Sequence, residues 1–210
     1  MDDVPEDRLR PVLHGLRLLG FATVEVLADH VDDDTVEVHG VLRHAEASGW
    51  TVFRDGRMTG WSLTTNGRSY GEQLLAAELD AAMRRGAVRA HYDEFLVLNP
   101  QFLELCTDWQ VRRSGDDLVT NDHADPSYDE EVLARLADID DAAQGLLERL
   151  AAELDRFDPY RQRFATARSR LEAGELDWFT RPTIDSYHTV WFQLHEDLLA
   201  TLGLDRTLEH

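Results

Sequence analysis

Apolar residues recur every three or four positions in three short segments near the start of the chain. The first segment covers residues 11–20 and ends at Gly20, the second follows Thr23, and the third covers residues 35–48 and ends before Gly49. This spacing predicts amphipathic helices, and a glycine commonly ends a helix because it adopts positive φ at no steric cost. Three short helices joined by tight turns predict a helix-turn-helix arrangement.

The segment that follows the third helix alternates apolar and polar residues instead. Residues 50–54 are typical of one strand, Asp55 and Gly56 supply a turn, and residues 61–64 are typical of the returning strand. Alternation on both sides of a turn predicts an antiparallel β-hairpin. Helical spacing resumes near residue 66 and continues to about residue 83.

Two motifs frame this hairpin. Ala45-Glu46-Ala47-Ser48-Gly49-Trp50 leads into it, and Leu63-Thr64-Thr65-Asn66-Gly67-Arg68 follows it directly. In this order the first third of the chain resembles the MarR-type and PadR-type winged-helix regulators, in which a helix ending in glycine is followed by a wing and a Leu-Thr-x-x-Gly-Arg turn. The resemblance implies a winged helix-turn-helix domain that binds double-stranded DNA.

The resemblance also implies which residues contact DNA. Modules of this type lay the third helix in the major groove and place the wing against the flanking backbone or the minor groove. Because a two-fold protein matches a two-fold operator, the resemblance further implies a homodimer. The residues expected to approach bases are Thr35, His39 and Arg43, and those expected to contact phosphates are Arg54, Arg57 and Arg68.

The remainder of the chain shows helical spacing only. The sequence therefore predicts a mostly α protein with an N-terminal winged helix-turn-helix, which has a two-stranded wing, and an all-helical C-terminal domain. The predicted divisions are residues 1–80 for the DNA-binding domain, 81–207 for a helical dimerisation or effector domain, and 208–210 for a tag remnant. The expected C-terminal helices cover residues 88–98, 100–111, 128–154, 160–172 and 182–202, and residues 114–127 are expected to form the longest loop.

Two interpretations of the last predicted helix remain open. Tyr187 and Trp191 recur at near-heptad spacing, with His188 and His195 along one flank. In one interpretation these four side chains and Arg181 line a pocket for a small-molecule effector or a metal ion. In the other, the helix lies in a core or a dimer contact, and its histidines only form hydrogen bonds at its edge. Because two histidines seven residues apart are a weak signal, we predict neither a bound metal ion nor a cofactor.

Charge complicates the DNA-binding interpretation. The chain has a net charge of −20, whereas a phosphate backbone favours a local excess of basic residues. Residues 1–70 account for only −5 of this charge, but Asp32, Asp33, Asp34 and Glu37 crowd the start of the third helix. In the alternative interpretation these acids cap the helix and oppose its dipole, and the module is a protein-interaction adaptor that keeps the winged-helix shape without binding DNA.

Composition and motifs exclude several other classes. No apolar run approaches the roughly 20 residues of a membrane span, and the acidic residues 1–7 are unlike a secretory signal. The lone Cys106 excludes a disulfide framework, and a buried structural role is favoured over an oxidant sensor. We therefore expect a cytoplasmic protein. Familiar catalytic motifs do not occur, so we expect no enzyme; an enzyme built on His188 and His195 is the remaining alternative.

Overall fold

The computed structural model describes residues 4–114 and 117–204. Within these residues the chain is mostly helical, with two antiparallel sheets of two strands each. It divides into two compact units: the first takes in the chain up to Met83 and again from His195, and the second comprises Arg84–Leu194. No helix in this part of the chain has both the length and the apolar character needed to cross a bilayer. Residues 208–210, the predicted tag remnant, lie outside the described residues.

The N-terminal part of the first unit consists of three short helices, a hairpin and a longer helix. Thr23 accepts a hydrogen bond from the N–H of Val26 at the start of the second helix, and Asp34 accepts one from the N–H of Val36 at the start of the third. Such caps satisfy backbone donors that the first helical turn leaves unpaired. The elements are α1 (Glu6–Leu19), α2 (Val24–Val31), α3 (Thr35–Ala47), β1 (Thr51–Arg54), β2 (Gly60–Leu63) and α4 (Thr65–Ala81).

A further pair of backbone hydrogen bonds joins the hairpin to the helices. β1 and β2 pair in a register that sets Phe53 opposite Trp61. On the other side of β2, Ala22 and Trp61 exchange N–H to carbonyl hydrogen bonds of 3.1 and 2.7 Å. Trp61 is buried in the same core as Leu13 and Leu42. The connection between α1 and α2 therefore acts as a minimal third strand that anchors the hairpin to the helical core.

A close backbone contact at the start of α4 explains the Leu-Thr-x-x-Gly-Arg motif. The hydroxyl of Thr64 donates to the carbonyl of Gly49 at 2.7 Å and accepts from the N–H of Gly67 at 3.0 Å. The N–H of Thr64 donates to the carbonyl of Trp50, also at 3.0 Å. A Cβ atom at position 67 would lie 1.8 Å from that same carbonyl oxygen, so only glycine fits there. The motif is a joint that closes the hairpin onto the helix that follows.

The final helix, α8 (Tyr187–Leu202), contributes its first half to the second unit and its second half to the first. Within the first unit, Nε2 of His14 lies 3.1 Å from Oδ2 of Asp197, and both side chains are almost completely buried. Arg17 pairs with Glu196 at 3.0 Å. These contacts with α1 explain why the end of α8 joins the first unit, whereas the predicted division assigned residues 81–207 to a separate domain.

The second unit contains a hairpin, so the prediction of an all-helical C-terminal domain is wrong in this respect. Residues 111–114 and 117–120 pair as antiparallel strands, and the whole second strand lies in the stretch expected to be a loop. The two helices predicted before it are a single helix that accommodates Pro100 in its interior, and the helix expected from residue 182 begins at Tyr187. The elements are α5 (Arg85–Gln110), β3 (Val111–Ser114), β4 (Asp117–Thr120), α6 (Pro126–Glu153), α7 (Asp158–Glu172) and the first half of α8.

The buried Asn121 forms hydrogen bonds at the open end of the β3–β4 hairpin. The backbone N–H of Asn121 donates to the carbonyl of Gln110 at 2.9 Å, and its side-chain amide donates to the carbonyl of Trp109 at 3.1 Å. The same amide donates to the carboxylate of Asp129 on α6 at 2.9 Å. These contacts join residues from three different segments, and the periodicity of the sequence contains no sign of them.

Gly67→Ala should destabilise the protein by about 3 kcal/mol, because the added methyl group overlaps the Trp50 carbonyl and the backbone must shift to relieve the overlap. Gly40→Ala on α3 is the matched control, since no neighbouring atom lies within 4 Å of its added Cβ. Replacing this exposed mid-helix glycine should stabilise the protein by up to about 1 kcal/mol. Urea denaturation of the two variants and the wild type measures both changes. Equal stabilities for the two variants would contradict the close contact between Gly67 and the Trp50 carbonyl.

Candidate nucleic-acid interface

The side chains of α3 that are buried in the core show which face of the helix points outward. Those buried in the core of the first unit are Val38, Val41, Leu42 and Ala45. With 3.6 residues per turn, the positions opposite this inward set form one outer stripe along the helix. We call it the α3 stripe; its members, all exposed, are Val36, Gly40, Arg43 and Ala47. None of these four positions is acidic.

The three residues expected to approach bases are exposed, on or beside the α3 stripe. Arg43 lies on the stripe, and Thr35 and His39 flank it. The ring of His39 meets the ring of Trp61 edge-on with 6.3 Å between centroids, which ties this flank of α3 to the hairpin. Arg43 pairs with Glu46 at 2.5 Å, yet 62% of its side chain remains exposed. Because exposed pairs of this kind contribute little stability, a phosphate or a base can replace Glu46.

The three arginines expected to contact phosphates are exposed and unpaired. Arg54 ends β1, Arg57 lies in the hairpin turn, and Arg68 lies in the first turn of α4. No side chain among residues 4–112 and 117–204 forms an ion pair or a hydrogen bond with these guanidinium groups. Each of the other arginines between residues 4 and 83 is ion-paired, namely Arg8, Arg10, Arg17 and Arg43. Unpaired positive charge in this segment is therefore concentrated on the hairpin and the turn that follows it.

The acidic residues at the start of α3 have structural roles. Asp34 caps the helix through a 2.8 Å hydrogen bond from the backbone. Asp33 and Glu37 both accept hydrogen bonds from one nitrogen of Arg8, each at 3.2 Å. Asp32 ends α2 with a φ of 52°, a left-handed conformation in which aspartate is more common than most non-glycine residues. Because Arg8 offsets two of these carboxylates, they oppose DNA less than the sequence indicates.

Sequence reasoning missed two features of this surface. Val36 is 76% exposed at the N-terminal end of the α3 stripe, and Gly40 follows it one turn later. The inward positions of α3 already place both residues opposite the core, so the periodicity contained this signal. Arg8 was missed for a different reason: its partners Asp33 and Glu37 lie 25 and 29 positions away, and no local pattern links them.

Tyr187 and Trp191, expected to line an effector pocket, are buried among other aromatic rings. Trp191 stacks on Phe102 with 4.5 Å between centroids, and its indole N–H donates to the Asn99 side chain at 3.0 Å. The ring of Tyr187 packs against Phe164 at 4.7 Å. Both rings are therefore part of the packed interior of the second unit.

The hydroxyl of Tyr187 takes part in a charged cluster. It donates to one oxygen of Asp140 on α6 at 3.0 Å, while Arg168 on α7 donates to the other oxygen at 2.8 Å. Burial, and then the charge of Asp140, raise the pKa of Tyr187 well above its usual value. The hydrogen bond to Asp140 raises the pKa of Arg168. Both groups therefore keep their protons at neutral pH, and the cluster joins α6, α7 and α8.

The other three candidates for an effector site differ from one another in burial and in their neighbours. His188 is half-buried, with its ring 6.2 Å from that of Phe102, and burial lowers its pKa. Arg181 is exposed and pairs with Asp177 at 2.5 Å. His195 is buried in the first unit. Across the part of the chain that the structure describes, no group of three His, Cys, Asp or Glu side chains is arranged to hold a metal ion.

No protein-family model matches the chain, and comparisons with curated proteins and with solved structures likewise find no match. The resemblance to winged-helix regulators rests on the sequence motifs alone. The function must therefore be inferred from the side chains and their arrangement.

Asp140→Ala should destabilise the protein by about 3 kcal/mol, because it leaves the buried Tyr187 hydroxyl without its acceptor and removes a partner of Arg168. Tyr187→Phe keeps the ring and the Asp140–Arg168 pair, so it should cost only about 1 kcal/mol. Urea denaturation measures both. A cost below about 0.5 kcal/mol for Asp140→Ala would contradict a structural role for the cluster.

Cys106 should not react with thiol reagents in the native protein. Burial raises the pKa of its thiol to about 12, so very little thiolate is present at pH 8. Ellman's reagent should label Cys106 only after unfolding in urea. Rapid labelling of the folded protein would contradict this burial and would favour an oxidant-sensing role.

Proposed function

We propose that the first unit is a winged helix-turn-helix module and that the protein is a DNA-binding transcription regulator. The observation that carries this proposal is that, within residues 4–83, paired and unpaired arginines lie on different elements. Those on the hairpin and in the first turn of α4 are unpaired, whereas those on α1 and α3 form ion pairs. Exposed guanidinium groups suit phosphate oxygens, which they bind through charge-assisted hydrogen bonds.

The order of elements supports the same proposal. Three helices precede the hairpin, the Ala22–Trp61 backbone pair fastens it, and the joint at Gly67 leads directly into α4. In a helix-turn-helix module the second helix of the motif, here α3, enters the major groove. An adjacent hairpin can then reach the backbone or the minor groove. The MarR-like and PadR-like motifs of the sequence agree with this assignment.

A protein-interaction adaptor is the second candidate, and one observation favours it. Val36, Phe53 and Met58 expose apolar side chains on α3 and the hairpin. Exposed apolar groups can mark contacts with other proteins. We prefer the regulator because an adaptor has no evident need for three unpaired arginines on the same hairpin and the turn after it.

Selection of bound fragments from a random pool of double-stranded DNA tests the proposal with the purified full chain. A regulator should enrich a single motif. A homodimer should enrich an inverted repeat whose half-sites lie one helical turn, about 10 base pairs, apart. Failure to retain any duplex, even at about 50 mM salt where phosphate contacts are strong, would contradict the proposal and favour the adaptor.

Arg57→Ala should weaken binding to all duplexes about equally and should reduce the slope of log K against log salt concentration by about one, because one phosphate contact is lost. The control is Arg89→Ala, which removes an exposed arginine from α5 of the second unit, where it pairs with Asp93 at 3.0 Å. The control should leave the slope unchanged. Fluorescence anisotropy at several salt concentrations gives both slopes, and equal slopes for all three proteins would remove Arg57 from the interface.

A further inference from the structure

The N-terminal end of the α3 stripe carries an apolar side chain that does not pack in the core of the first unit. Val36 is 76% exposed, more than Phe53 at 40% or Met58 at 69% on the hairpin. A β-branched residue is also a weaker helix former than the alanine or charged residues usual on an exposed helix face. Neither packing nor helix stability accounts for valine at this position, which points to a contact with a partner.

The surroundings of Val36 leave room for a close approach. One turn along the stripe, no neighbouring atom lies within 4 Å of a Cβ built on Gly40, so the helix backbone is bare there. Glycine is unfavourable in the middle of a helix, but it allows another molecule to approach the backbone closely. The nearest acids on α3 are occupied, since Glu37 binds Arg8 and Glu46 binds Arg43.

The chemistry of valine restricts what it can recognise. Its side chain offers only methyl groups and forms no hydrogen bond. Among the four bases, thymine alone presents a methyl group in the major groove, whereas the other groups read there are hydrogen-bond donors and acceptors. Val36 is the second residue of α3, and the N-terminal residues of a recognition helix are those that contact base edges.

We propose that Val36 reads a thymine through contact between its methyl groups and the C5-methyl group of the base. The inference rests on the proposed function, because it names the base that the same face of α3 recognises. Burial of one methyl group between Val36 and the base corresponds to about a fourfold gain in affinity.

Replacement of thymine by uracil tests this contact, because uracil lacks only the C5-methyl group. Each thymine of the selected duplex is replaced in turn, and binding is measured for the wild type and for Val36→Ala. At one position in each half-site, uracil should weaken wild-type binding about fourfold. Val36→Ala should bind the thymine and uracil duplexes equally well. This variant should fold normally because the side chain is exposed, which circular dichroism verifies.

Arg57→Ala serves as the matched control. It should bind both duplexes more weakly and still prefer thymine about fourfold at the same position, because it alters a phosphate contact and not the base contact. Loss of the thymine preference in this control would overturn the assignment to Val36.

The remaining outcomes separate this inference from the proposed function. Selective, tight binding of the wild type with no difference between thymine and uracil at any position would overturn the inference and leave the regulator standing. A thymine preference that survives in Val36→Ala would overturn it as well, because another residue would then contact the methyl group. Failure of the wild type to select any duplex would overturn both and would favour the adaptor.

Discussion

The hairpin of the first unit depends on one close approach between backbone atoms. Gly67 lies against the carbonyl group of Trp50, and Thr64 bonds to the backbone on both sides of this contact. At the other edge of β2, Ala22 pairs with Trp61. The hairpin is therefore anchored by two sets of backbone contacts, one with the start of α4 and one with the connection between α1 and α2. Arginines on such a support lose side-chain entropy when they bind a phosphate, but the backbone that carries them is already ordered.

A chain with a net charge of −20 can still present a cationic surface, because charges interact over short distances in salt. At physiological ionic strength the Debye length is about 8 Å, so acids far from the hairpin have little influence on a ligand bound there. Ion pairs on the helices of the first unit occupy arginines such as Arg10 and Arg17. Such pairs determine which charges remain available to a partner. Their distribution is therefore more informative about that partner than the net charge.

Local patterns predicted most elements of the first unit, although α1 begins at Glu6, five residues before its predicted start, and continues through Pro11. Helical spacing predicted residues 35–48 for a helix that spans Thr35–Ala47, and alternation predicted the hairpin. The contacts between distant residues were not predictable, because nothing local encodes them. The residues of β4 are all exposed and show no apolar alternation, and the hairpin to which they belong depends on the buried Asn121. Pro100 suggested a helix end, yet α5 continues through it.

In the candidate interface, too, the sequence predicts which side chains are exposed but not which distant residues pair with them. Exposure of the six predicted DNA-contacting side chains follows from their positions in an amphipathic helix and a hairpin, and the structure has all six exposed. The same periodicity also places Val36 and Gly40 on the exposed face of α3. The ion pairs that Arg8 forms with the acids of α3 depend on how α1 packs beside that helix, which requires the folded chain.

The second half of α8 has a consequence for how the protein is made. Arg17 meets Glu196 across 179 positions of sequence, and His14 meets Asp197 from the same helix. A ribosome releases the N-terminal segment first, and domains generally begin to fold in that order. These partners of α1 emerge only after the second unit has been synthesised, and contacts over such long sequence distances form slowly. The contacts of α1 with α8 are therefore absent until the second unit has been made, so a nascent chain does not carry a complete first unit before that point.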